Sequence, residues 1–105
     1  MIEARIVLTT AGSADEAHKI ANALVDRKLA ACVNIVPQIE SVYRWKGNVE
    51  RAQEWLLIIK TQASAFAGVR AAIQALHSYE MPEVIMLDVH EGDSQYLGWI
   101  AENVE

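Results

Sequence analysis

Apolar positions along the chain change period several times, and each change marks an element. Residues 2–10 carry a β-branched apolar stretch, Ile6-Val7-Leu8, and end at Ala11-Gly12, which predicts a first strand. Ser13-Ala14-Asp15-Glu16 is a capping box, and Ala17, Ile20, Ala21, Leu24 and Lys28 follow it at helical spacing, so a helix is expected to about Leu29. A long β segment from Cys32 to Lys46 comes next. Pro37 interrupts it as a bulge or bend, Gly47-Asn48 forms its tip, and a third strand runs through Glu54 to Thr61. On the first arm Ile39, Ser41, Tyr43 and Trp45 share one face, with Val42 and Arg44 on the other. A second helix starts near Ser64 and carries Phe66, Val69, Ile73 and Leu76. Residues 77–83 form a connecting loop, residues 84–90 a fourth strand, and Glu91-Gly92-Asp93 a turn. A last short helix from Ser94 places Tyr96, Trp99 and Ile100 on one side.

The order β-α-β-β-α-β plus a terminal helix is that of the ferredoxin-like sandwich. In this α+β fold, four antiparallel strands carry two helices on one face. The other sheet face is left bare. Its cover, and the partner of a β2–β3 hairpin too long for its own sheet, is expected to be another copy of the chain.

Composition narrows the function classes. The chain has 105 residues and is 52% apolar, which suits one domain over residues 1–105 and excludes disorder. No unbroken apolar run exceeds about five residues, whereas a membrane helix needs ~20. Met1-Ile2-Glu3-Ala4-Arg5 does not read as a secretory leader, and a cytoplasmic location is expected. Fourteen acids against nine bases give a net charge of −5, with the bases scattered, so nucleic acid is not an expected partner. The single cysteine, Cys32, has no internal partner and reads as a buried filler.

Few residues carry candidate chemistry. His77 follows the second helix on a loop, two residues before Tyr79, and reads either as a metal ligand or as a cap of the helix. Glu83 leads into an apolar strand and needs a partner, and Lys60 at the end of the third strand is the candidate. The plainer reading is a structural ion pair across the sheet or between subunits; the sharper one has Lys60, Glu83 and His77 converging on a cleft, and Lys60, Tyr79 and Glu83 are the candidate ligand-binding set for a small anion in a cleft between copies. Tyr43, Trp45, Tyr79, Tyr96 and Trp99 hold five of the seven aromatics and read as subunit-contact residues. Asp88 and His90 form an Asp-x-His pair of the kind found at solvated strand ends, and His18 reads as plain surface. There is no phosphate loop, no paired-histidine motif and no nucleophile beside a base, so an enzyme is not expected.

Five separated stretches resemble the CutA family. They are Leu29-Ala30-Ala31-Cys32-Val33-Asn34-Ile35-Val36-Pro37, Ser41-Val42-Tyr43-Arg44-Trp45-Lys46-Gly47, Ile59-Lys60-Thr61, the run from His77 to Ile85, and Tyr96-Leu97-Gly98-Trp99-Ile100. The resemblance implies a ferredoxin-like subunit in a tight cytoplasmic homotrimer, similar in architecture to the PII signalling proteins. It also implies a role in tolerance of divalent cations, copper in particular, without catalysis. Some members are credited with a copper site of one cysteine and two adjacent histidines. Carried over by position, these fall on Thr9 and on Leu76-His77, so only His77 retains a donor suited to copper. The expected partners are thus the chain itself and a metal ion or small anion.

Overall fold

The computed structural model describes residues 2–105. Its elements are β1 (Ala4–Ala11), α1 (Ala14–Asp26), β2 (Cys32–Trp45), β3 (Asn48–Gln62), α2 (Phe66–Leu76), β4 (Ile85–Asp88) and α3 (Ser94–Glu102), with a 3₁₀ turn, Ala63–Ala65, leading into α2. The four strands lie in the order β2-β3-β1-β4, every neighbouring pair antiparallel. This is the ferredoxin-like arrangement the periodicity predicts.

α1 starts as its capping box dictates, with Ser13 Oγ accepting the Glu16 N–H at 3.2 Å. It ends at Asp26, three residues earlier than its apolar stripe suggests. Lys28 takes a left-handed φ of 58°, and the Leu29 N–H turns back to the Leu24 carbonyl at 2.9 Å, closing a Schellman motif. The α1 stripe of Ala17, Ile20, Ala21 and Leu24 meets Val69, Ala72 and Ile73 of α2 over Val7, Leu57 and Ile59 of the sheet. These residues form the core. Burial on one helix stripe and on alternate strand residues is what fixes the register, because a one-residue slip would turn Val7 and Ile59 out to water.

The β2–β3 hairpin is two structures in one. From Cys32↔Lys60 to Val36↔Leu56 it belongs to the sheet, and there β3 also pairs with β1. β1 runs out at Ala11↔Trp55, and at that level the hairpin bulges: the register shifts between Val36 and Ile39, across Pro37 and a Gln38 with φ 55°. Beyond it, residues 39–45 and 48–54 pair only with each other. The molecule accordingly measures 44 × 26 × 22 Å. The turn itself is Lys46-Gly47, with φ of 50° and 82°, closed by Trp45 opposite Asn48. Two consecutive positive φ values define a type I′ turn, one residue ahead of the Gly47-Asn48 tip expected from the sequence. A Cβ at Gly47 meets nothing within 4 Å, so Gly47→Val tests conformation alone. It should cost about 1–2 kcal/mol in a urea unfolding titration, the strain of a β-branched residue in the left-handed region.

β4 is shorter than its sequence suggests. It pairs only with residues 5–8 of β1, and Asp88 sits opposite Arg5 near the start of that strand, so Val89 and His90 have no partner strand. Asp88 accordingly meets Arg5 (3.2 Å), and His90 lies off the strand. The Asp-x-His pair does not share a strand face.

The sheet face opposite the helices is the other consequence of the register. Ile6 and Leu8 of β1, Val36 of β2, Leu56 and Ile58 of β3, and Ile85 and Leu87 of β4 all fall on it. Ile85 and Leu87 are 49% and 43% exposed. A contiguous apolar face this exposed is unusual for an isolated chain in water. Trp45, Tyr43, Tyr96 and Trp99, with Tyr79 of the loop, are each about two-fifths exposed.

Candidate functional site

Four segments converge where β1 ends: the corner at residues 10–12, the first turn of α1, the outgoing end of α2, and the loop that follows it. His77 is the C-cap residue of α2, its N–H bonded to the Ile73 carbonyl at 2.9 Å, and its ring is buried completely. The Tyr79 N–H donates to Nδ1 at 3.0 Å. An accepting Nδ1 places the ring proton on Nε2, which donates to the Thr10 carbonyl at 2.6 Å. The Tyr79 ring lies against the imidazole, centroids 4.6 Å apart. Glu16 brings Oε1 to 3.2 Å from the same Nδ1, and that oxygen is buried without a hydrogen-bond partner.

From the loop, the Tyr79 phenol crosses the end of β1 and donates to Glu54 Oε2 at 2.8 Å. Gly12 makes the crossing possible, because a Cβ there would come within 3.0 Å of the phenol oxygen. Glu54 is 7% exposed, on the last β3 residue before the bulge level. Burial first, then the hydrogen bond to Glu54 and the charge of that carboxylate, push the Tyr79 phenol well above its ordinary value. In an alkaline absorbance titration one tyrosine should therefore stay protonated past the usual value of about 10. Tyr79→Phe should remove that late step. A folded-state value raised above the unfolded one means the contribution to stability is complete below about pH 10 and is lost as pH rises beyond it.

The candidates named from the sequence are thus divided. His77 and Tyr79 share one cluster. Lys60 is elsewhere: in register it is level with Ile6 and Cys32, and it donates to Asn34 Oδ1. Glu83 is exposed, in the loop two residues before Ile85, the first residue of β4, and β4 is separated from β3 by β1. The expected Lys60–Glu83 ion pair does not form within one chain. Glu16, Glu54 and Gly12 complete the cluster and were not singled out by the sequence. Glu16 reads there as a capping residue and Glu54 as the polar edge of an apolar run.

A copper site of the family type finds no donor set here. Thr9 is wholly buried on the helix side of the sheet, Leu76 offers no donor, and both nitrogens of His77 are engaged within the chain. Among the described residues no three His, Cys, Asp or Glu side chains gather as a metal would require. The Thr9 hydroxyl has no partner among them either. Thr9→Val, which removes an unsatisfied buried hydroxyl at nearly constant volume, should stabilise the chain by about 1 kcal/mol in urea unfolding.

Fold and site together define a ferredoxin-like α+β chain whose polar cluster lies beside a bare apolar sheet face. Residues 5–103 match the family described as CutA1 divalent ion tolerance protein. The divalent-cation tolerance protein CutA of Thermus thermophilus is 48% identical over 98 residues, 93% of this chain and 95% of that one. Human Protein CutA is 45% identical over 89 residues; they are 85% of this chain but half of the human protein's length. Among solved structures, the Thermus thermophilus divalent cation tolerance protein superposes with a TM-score of 0.95 at 46% identity, covering 97% of this chain and 99% of that chain. CutA1 from Oryza sativa gives 0.96 at 39% identity, covering 99% and 95%. This chain belongs to the CutA family. The family is named for tolerance of divalent ions and not for a catalysed reaction. Relatives are named for different compartments, chloroplastic in Arabidopsis thaliana and periplasmic in Archaeoglobus fulgidus, and no helix among the described residues is long and apolar enough to cross a membrane.

Proposed function

We propose that this chain serves in tolerance of divalent cations as a closed homotrimer, and that its ligand chemistry lies in clefts between copies. The observation that carries this reading is the open sheet face. Its strand residues are mostly apolar, and a monomer in water gains nothing from leaving Ile85, Leu87 and Val36 uncovered. A copper site within one chain does not follow, because Thr9, Leu76 and His77 leave a soft metal no free ligand. A second reading, a PII-like signalling trimer binding a small anionic metabolite, is favoured by Lys60, which meets a neutral amide and no carboxylate.

Calorimetric titration of copper and zinc into the metal-free protein, beside His77→Gln, tests the first reading. The expected result is weak binding that the substitution leaves unchanged. Stoichiometric, sub-micromolar binding lost in His77→Gln would overturn it.

A further inference from the structure

Two opposite charges on the open sheet face lack a counter-ion. Glu54 is 7% exposed, and its hydrogen-bond donor is the neutral Tyr79 phenol. Among the described residues it joins no ion pair, and neither does Lys60. A carboxylate buried to this degree is costly without a cation. Positions 54, 56, 58 and 60 of β3 alternate onto one face, so Glu54 and Lys60 stand at the two ends of a strip whose interior is Leu56 and Ile58. Six residues of strand separate them by about 20 Å. They cannot meet in one chain.

We infer that the Tyr79–Glu54 cleft is completed by Lys60 of a second copy of this chain. The inference rests on the proposed assembly and assigns one contact within it. When the apolar strips of two copies pack, complementary charge at the strip ends favours the arrangement in which each lysine reaches the next copy's carboxylate. In the proposed closed trimer this contact is heterologous and repeats around the ring. It supplies the missing cation to Glu54. It also brings the lysine beside the Tyr79 phenol, uniting across copies two of the groups that one chain holds apart. Leu56 and Ile58 exclude water from the pair, which raises its worth over that of an exposed ion pair. Glu83, exposed and solvated, has no comparable need of Lys60.

A zero-length carbodiimide reaction on the native protein tests this, since it joins only an amine and a carboxylate already in contact. Protein co-refolded from unlabelled and ¹⁵N-labelled chains should give a Lys60–Glu54 cross-linked peptide containing one light and one heavy partner. Glu54→Gln should abolish it. Charge reversal gives an independent reading: Glu54→Lys and Lys60→Glu should each weaken assembly, and the double exchange should restore it. A protein that assembles yet links Lys60 to another carboxylate, or shows additive effects of the two reversals, overturns the composite cleft and leaves the assembly standing. A native mass of 11.6 kDa in light scattering overturns the assembly itself, and the inference with it.

Discussion

His77→Ala should destabilise the subunit by about 3 kcal/mol, read as a shift of the urea midpoint at unchanged slope. The ring is fully buried, and its removal does three things at once. It empties a space that α1, α2 and β1 cannot easily close. The Thr10 carbonyl loses its donor, and the Tyr79 N–H loses its acceptor. His77→Gln is the informative companion, since an amide can still donate to Thr10 and should recover part of the loss. The alanine variant should also loosen the 77–83 loop, so the late tyrosine ionisation should move towards the ordinary range along with it. If His77→Ala unfolds like the parent, the cluster is not what holds this end of the molecule.

On the proposed trimer, Leu8→Asp should leave a single chain of 11.6 kDa by light scattering, with the far-ultraviolet circular dichroism preserved. Leu8 lies at the centre of the open face, on a strand flanked by β3 and β4. In a single chain its side chain is already part-exposed, so a carboxylate there stays hydrated. In an assembly that covers this face the same carboxylate would be buried unpaired, at a cost of several kcal/mol for each contact. Because folding and association are linked by mass action, the variant should also melt at a temperature independent of concentration, unlike the parent. An unchanged mass would show that the open face is not the contact surface.

The elements that face a core were legible in the sequence, because burial on one side is what writes a period. α1 declares itself through Ala17, Ile20, Ala21 and Leu24, and α2 through Phe66, Val69, Ile73 and Leu76. The start of β3 was not legible. Residues 48–53 pair with β2 over no core, so Glu50, Arg51 and Gln53 carry no alternation, and the pattern of a strand emerges only where Glu54 and Trp55 reach the sheet. β4 was overread for the converse reason: Val89 is apolar, but β1 offers it no partner. Within the site, His77 and Tyr79 stood out as polar groups on one loop. Glu16 and Glu54 did not, because what distinguishes them is burial against residues far along the chain. The resemblance to CutA proteins supplied the family, but the carried-over copper position placed Thr9 where the structure has only an unpartnered hydroxyl in the core.

The bulge at Pro37-Gln38 has a consequence for how the molecule opens. Amides of residues 56–60 lie between β1 and β2 and under the helix layer, so their hydrogen exchange should follow global unfolding. Those of the outer arm, residues 39–45 and 48–54, are tied only to each other, and a two-stranded ribbon of this kind is marginal in water. Their exchange should be fast in dilute, dissociated protein and slow as concentration rises. Protection of the arm therefore reports the company the subunit keeps, while protection of the inner strands reports its own fold, and the two can be followed in one spectrum.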